Sequence, residues 1–121
     1  MDHTCLVVPV KHGKEQALHD FYREIEDARN EDYDRSERRL GITKEIAFSA
    51  KTDGGTVAVI YIESDDFGSA FGQFVQSKDD FDLWFKQQVL DISGLDLNNP
   101  PEMELPELLS VYEGRVAAAR S

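Results

Sequence analysis

The sequence predicts an α+β domain in which a four-stranded antiparallel sheet is covered by helices on one face. Three observations predict it: short apolar stretches with strand composition, amphipathic segments of helical period between them, and a length of 121 residues, which suits one core rather than two. We therefore expect a single domain over residues 1–121, with residues 115–121 as a C-terminal tail.

A strand and a helical region are predicted at the start of the chain. Residues 4–10 (TCLVVPV) are rich in β-branched types, which favour a strand. From Lys14 to about Arg39 apolar residues recur at helical spacing, so we expect a long helix with a break near residues 30–34. Gly41 is expected to end it, because glycine readily adopts the left-handed conformation found after a helix.

A hairpin follows this helix. Residues 43–51 and 56–63 flank Asp-Gly-Gly, a strong turn signal, and predict strands two and three. Strand two alternates, with Ile46, Phe48 and Ala50 opposed to Glu45, Ala47 and Ser49. Strand three is apolar on both faces and must therefore be covered on both sides.

The second half of the chain predicts two helices and a last strand. Phe67, Ala70, Phe71 and Phe74 have the spacing of one helical face, and a second helix is expected to start after Lys78-Asp79-Asp80 and to stop at Gly94. The proline-rich segment after it predicts irregular structure, and residues 107–113 (ELLSVYE) predict a fourth strand.

This order of elements, βαββαβ, is that of the ferredoxin-like arrangement. Its helices shield only one face of the sheet, while strand three is apolar towards both. Because burying a few hundred Å² of apolar surface, at about 25 cal/mol per Å², stabilises an interface, we expect a homodimer whose two sheets face each other.

Composition excludes several classes of partner. The formal net charge of −11 opposes binding to nucleic acid and to anionic membranes, because a negative field repels polyanions. The N-terminal apolar run, Cys5 to Val10, is too short for a signal peptide or a membrane span. Cys5 is the only cysteine and is interpreted as a core residue. We therefore expect a cytoplasmic protein that binds neither nucleic acid nor membrane.

Three stretches of the chain carry a family resemblance: RLGITKE before strand two, FDLWFKQQVLDISGLDL in the second helical region, and PPEMELPELL followed by VYEG. Together they resemble a family of small bacterial proteins of unknown function, which looks related to the dimeric α+β barrel superfamily that includes antibiotic-biosynthesis-type monooxygenases and muconolactone isomerases. The resemblance implies a homodimer with a ligand pocket between sheet and helices.

Candidate catalytic residues are few. His12 lies in the connection between strand one and the first helix, where clefts often form, and histidine titrates near neutral pH. Tyr61, on strand three, is the second candidate for moving a proton. His19 lies off the apolar stripe of its helix and is interpreted as solvated.

The candidate ligand-binding residues are Trp84, Phe71, Phe48, Tyr22 and Arg39. The aromatic side chains could line a pocket between sheet and helices or simply fill the core. Arg39 could bind a carboxylate or phosphate, as could Arg35 and Arg38, although Asp32, Asp34 and Glu37 offer ordinary salt-bridge partners at helical spacing.

No metal or cofactor site is predicted, because the three histidines lack ligand spacing, a second cysteine is missing, and phosphate-binding glycine motifs are absent. Three hypotheses follow. The protein is a homodimer that binds a small apolar or aromatic ligand, a cofactor-independent monooxygenase or isomerase with the same pocket, or a non-catalytic structural or interaction protein.

Overall fold

The computed structural model describes residues 1–114, so the predicted C-terminal tail lies outside the described residues. Within residues 1–114 three strands and four helices follow in the order β1 (Asp2–Pro9), α1 (Glu15–Glu26), α2 (Asn30–Leu40), β2 (Ile42–Thr52), β3 (Gly55–Ser64), α3 (Phe67–Gln76) and α4 (Asp80–Ser93). The predicted α+β class is confirmed.

The sheet is antiparallel with β3 between β1 and β2. Cys5 on β1 and Ile46 on β2 both lie opposite Tyr61, so these three side chains share one face of the sheet. The predicted hairpin joins β2 to β3, and Gly55 adopts a φ of 120°, which explains why glycine stands there.

The helical region after β1 is divided in two. The predicted break lies at residues 27–29, a few residues earlier than expected, and separates α1 from α2. Gly41 ends α2 in the left-handed conformation, as predicted, with a φ of 77°. The later helices begin at capped positions, since the side chains of Asp66 and Asp79 accept backbone N–H groups at the starts of α3 and α4.

The core lies between the sheet and the helices. Of the predicted stripe of Leu18, Phe21, Ile25 and Ala28, the first three are buried there and pack with Ala58 of β3 and Ile92 of α4, whereas Ala28 lies after the end of α1 and is exposed. We call the sheet face that meets the helices the inner face and its opposite the outer face.

The two faces of β2 are inverted relative to an ordinary amphipathic strand. Glu45 is turned towards the helices, whereas Ile46 and Phe48 lie on the outer face with 42% and 58% of their surface exposed. Val7 of β1 shares that face and is 51% exposed. The outer face is therefore apolar and, among the described residues, uncovered.

A buried polar network joins three of the helical segments. The Asp82 carboxylate of α4 is fully buried and accepts hydrogen bonds from the hydroxyls of Ser36 and Ser77, each at 2.6 Å, and from the Arg39 guanidinium. Since a buried carboxylate is tolerated only with such partners, the network fixes α2 and the α3–α4 connection against α4.

A buried lysine of α4 binds the C-terminal end of α3. Lys86 of α4 is 1% exposed, and its ammonium group donates to the carbonyl oxygens of Phe74, Val75 and Ser77 at 2.9, 3.1 and 3.0 Å. These carbonyls lie at and just after the end of α3, where, among the described residues, only Phe74 keeps a backbone donor, the N–H of Ser77 at 3.2 Å, so Lys86 completes the hydrogen bonding of the helix terminus.

The predicted fourth strand is not formed within the described chain. Residues 107–113 have no ladder partner among residues 1–114, and every residue from 104 to 113 is exposed. The local composition favours an extended chain, but a strand also needs a neighbour to complete its hydrogen bonds. The sheet described here has three strands, and the four-stranded ferredoxin-like arrangement is not confirmed.

Candidate functional site

An apolar cavity of about 110 Å³ lies between the inner face of the sheet and the helices. The sheet contributes Leu6, Val8, Ile60 and Ile62 to its wall, and α3 contributes the predicted set of Phe67, Ala70, Phe71 and Phe74. A helix that places aromatic side chains three and four residues apart presents them to one side, which is why these rings meet the same space.

Two carboxyl groups interrupt this apolar wall. Glu45 reaches the cavity because β2 turns this residue inward, and Glu37 reaches it from α2. Burial, the charge of Glu45 and hydrogen bonding to Glu45 together raise the pKa of Glu37 to about 9. Burial likewise raises the pKa of Glu45, although hydrogen bonds from Glu37 and Tyr33 oppose that rise.

Two tyrosines accompany the carboxyl pair. Tyr22 lines the cavity, and Tyr33 lines the neighbouring groove together with Glu45. Burial and the charge of Glu45 raise the pKa of both phenols, so both stay protonated and can serve only as neutral hydrogen-bonding groups. The polar part of the site thus consists of two acids and two phenols in an otherwise apolar wall.

The carboxyl pair also borders the surface. Glu37 and Glu45 line an open polar groove of about 480 Å³ together with Tyr33, Arg38 and Lys44. The pair therefore stands between the apolar cavity and solvent, and protons can reach it from the groove without passing through the cavity.

This arrangement can hold one proton between two carboxyls at neutral pH. Two nearby acids in a poorly solvated site resist double ionisation, so the second proton leaves only at higher pH. Such a pair can accept hydrogen bonds from a cationic or hydroxylated ligand, or exchange a proton with one.

Two of the predicted ligand-binding residues, Tyr22 and Phe71, line the cavity. Trp84 packs instead against Phe21 and Phe81, and the Arg29 guanidinium lies 4.0 Å from the centre of its ring. That environment is a core position beneath a cation, which matches the structural interpretation of this aromatic.

Arg39 is engaged by the buried Asp82, and also approaches Asp79 at 4.0 Å. Its two neighbours in the cluster form the local salt bridges considered above, Arg35 with Asp32 at 3.0 Å and Arg38 with Asp34 at 2.9 Å. These contacts favour the salt-bridge interpretation of the arginine cluster.

The remaining candidates lie away from the cavity wall. Phe48 is on the outer face, and His12 is exposed in the turn between β1 and α1. Tyr61 is also on the outer face, where its hydroxyl lies 2.6 Å from His3 Nδ1 and donates to Glu63 at 2.8 Å. Catalytic roles for His12 and Tyr61 stay predictions without support from this geometry.

Sequence reasoning missed the carboxyl pair. The signal for Glu45 was present, because the alternation of β2 places it on the face opposite Phe48, and only one of those faces can meet helices. Glu37 was considered only as a partner for arginine, and its approach to Glu45 depends on how α2 packs on β2, which the sequence does not encode locally.

Among residues 1–114 no cluster of histidine, cysteine or acidic side chains has the composition of a metal site. No helix in this part of the chain has the length and apolar character needed to cross a membrane.

Comparison with known proteins gives one match. The model of a family of unknown function, DUF6176, matches residues 1–105, and the chain belongs to this family. The resemblance to a family of unknown function is thereby confirmed, while the relation to the dimeric α+β barrel superfamily stays a prediction. The searches of curated proteins and of solved structures returned no match.

Proposed function

For this member of the DUF6176 family, we propose a homodimer that binds a small, largely apolar ligand between its sheet and its helices, with Glu37 and Glu45 receiving a polar group of that ligand. The observation that carries the proposal is the pair of carboxyls with raised pKa in the wall of an apolar cavity. Half-buried acids beside apolar surface are costly, and a fold that retains two of them together often uses them.

The size and chemistry of the cavity define the ligand class. At about 110 Å³ it is somewhat smaller than an engineered cavity of about 150 Å³ that binds benzene, so it suits a single ring or a short branched chain. The carboxyl pair favours a ligand that donates hydrogen bonds, and an ammonium group satisfies it best because it also neutralises the charge.

The outer face of the sheet supports the homodimer. Its exposed Val7, Ile46 and Phe48 form an apolar surface next to half-buried Val59 and Tyr61, and a second copy offers the same surface in return. The inverted orientation of β2 also supports the homodimer, because an isolated domain would be more stable with Phe48 turned inward and Glu45 turned outward. The order from β1 to α4 agrees with a ferredoxin-like subunit up to its last strand.

A proton-transfer enzyme with the same cavity is the second candidate. A carboxyl pair that holds one proton near neutral pH and communicates with a solvent groove has the properties of a general acid and base. This version of the isomerase hypothesis assigns proton transfer to Glu37 and Glu45 in place of His12 and Tyr61.

Native mass spectrometry of the protein purified from its own host tests the assembly and reveals a retained ligand. The ligand class is tested by NMR titration with benzylamine and toluene, which differ only in the amine. We expect benzylamine to bind more tightly and to perturb resonances of the α3 aromatic rings.

Replacing Glu37 and Glu45 together by glutamine removes the negative charge that the pair carries at neutral pH and should abolish the preference for benzylamine, whereas Glu31→Gln, which removes a charge from an exposed position of α2, should retain it. Equal weak binding of both probes to all three proteins would refute the proposed role of the carboxyl pair.

A further inference from the structure

The last described segment of the chain carries more apolar surface than solvent exposure explains. Residues 106–113, here called the C-terminal arm, include four large hydrophobic side chains that are 52% to 86% exposed: Leu108, Leu109, Val111 and Tyr112. Isolated exposed leucines are ordinary, but four within eight residues of an unpaired extended segment indicate an interaction surface.

A groove that could receive this segment runs along the free edge of β1. This strand pairs only with β3 among the described residues, so its other edge is free. An open groove of about 380 Å³, here called the β1 groove, follows that edge and is lined by Leu6, Val7, Val8, Leu95, Met103 and Leu105. Free strand edges bind further strands readily, and native proteins usually cover them.

The second free edge of the sheet is a poorer acceptor. The groove beside β2 contains Asp34, Arg38 and Lys44 together with the carboxyl pair, and an apolar strand would leave these groups desolvated. At the β1 groove the stem of Lys11 lies next to Gly94, which lines the groove, so this basic residue can pair with a glutamate of the arm. Chemical complementarity therefore favours β1.

The course of the chain favours an arm from another subunit. Met103 and Leu105 line the β1 groove, and the chain then leaves it, with every residue from Pro106 to Glu113 exposed. Pro106 disfavours a helical conformation at the preceding residue, so the chain stays extended as it leaves the groove. A segment that leaves one copy of a site and fits the same site on another is the usual basis of strand exchange.

We propose that each subunit of the homodimer adds its C-terminal arm as a fourth strand to the β1 edge of the other subunit. The proposal rests on the homodimer inferred above. It also makes the ligand site dependent on both subunits, because the β1 groove and the cavity share Leu6, Val8, Leu95 and Met103, so an arm seated in the groove covers that side of the cavity.

The test is a cysteine pair in the full-length chain. In a Cys5→Ser background, Val7→Cys marks the β1 edge, and Leu108→Cys, Leu109→Cys or Tyr112→Cys, one at a time, marks the arm. After mild oxidation we expect at least one arm position to give a covalent dimer with two disulfides linking residue 7 of one subunit to the arm of the other, identified by peptide mapping. The matched control carries Ser49→Cys on the other edge strand in place of Val7→Cys and should give no such link.

The outcomes separate this inference from the function proposed above. A disulfide within one subunit would show that the arm covers its own sheet. A dimer by native mass spectrometry with no arm link at any position would show that the arm stays free. Either result overturns strand exchange without overturning the homodimer. A monomeric protein overturns both proposals. Failure of benzylamine to bind a cross-linked dimer refutes the ligand proposal alone.

Discussion

The carboxyl pair makes the stability of this protein depend on pH in a defined direction. Glu37 has a folded-state pKa of about 9 against 4.5 in a free chain. A group whose pKa is raised on folding contributes its full stability below the unfolded value, and that contribution is lost as the pH rises towards the folded value. The fold should therefore lose stability from about pH 4.5 to about pH 9 through this group.

The size of the effect follows from the proton balance. When the folded protein holds a proton that the unfolded chain has lost, the free energy of unfolding falls by up to about 1.4 kcal/mol for each unit of pH increase. Between pH 5.5 and 7.5 this amounts to about 3 kcal/mol. Glu37 and Glu45 border an open groove, where solvent screens the charges, so about half of that value is expected. Replacing Glu37 by glutamine removes the titrating proton while keeping the volume and a hydrogen-bond donor for Glu45.

The measurement is the free energy of unfolding in urea, followed by circular dichroism, for Glu37→Gln and for the control Glu31→Gln at pH 5.5 and 7.5. Both variants lose one carboxyl, so the general effect of an acidic surface cancels in their difference. We expect the free energy of unfolding of Glu37→Gln, relative to that of Glu31→Gln, to increase by about 1.5 kcal/mol as the pH rises across this interval. Parallel pH dependence in the two variants would refute the assignment of a shared buried proton.

Two further predictions concern the outer face and the buried lysine. Phe48→Glu should raise the dissociation constant of the dimer at least about 100-fold, because it places a charge in the centre of the apolar surface. The control Ser49→Glu, one residue away on the opposite face, should leave the dissociation constant unchanged. Sedimentation velocity measures the dissociation constant of both variants. Lys86→Met should destabilise the fold by about 3 kcal/mol in urea denaturation, because it removes the ammonium donor from three carbonyl groups at the end of α3, of which, within residues 1–114, only Phe74 keeps another donor, the N–H of Ser77. An unchanged stability would mean that solvent replaces the ammonium group.

The parts of the fold that the sequence predicts well are those set by neighbouring residues. The hairpin at Gly55, the end of α2 at Gly41 and the aromatic face of α3 each depend on residues within a few positions of one another. The buried ions could not be predicted in this way. Nothing in the local sequence distinguishes Asp82 and Lys86 from surface charges of α4, and only the packing of α2 and α3 around them supplies the partners that make their burial possible.

The fourth strand shows a different limit. Composition predicts a strand at residues 107–113, but in the described structure these residues are exposed and unpaired, and composition cannot say which sheet receives such a segment. The same limit applies to β2, where the alternation identifies two distinct faces without saying which one meets the helices.

These two limits have one physical origin. Phe48 facing outward, Glu45 facing inward and an unpaired apolar arm are each unfavourable in an isolated chain, and each becomes favourable when a second copy covers the outer face and the β1 edge. In the proposed homodimer the inward position of Glu45 would be a consequence of assembly, because a β2 strand that gives its apolar side to a partner must give its other side, with its carboxyl, to the helices. The proposed contact between subunits and the acidic pair in the cavity would then both result from the same strand register.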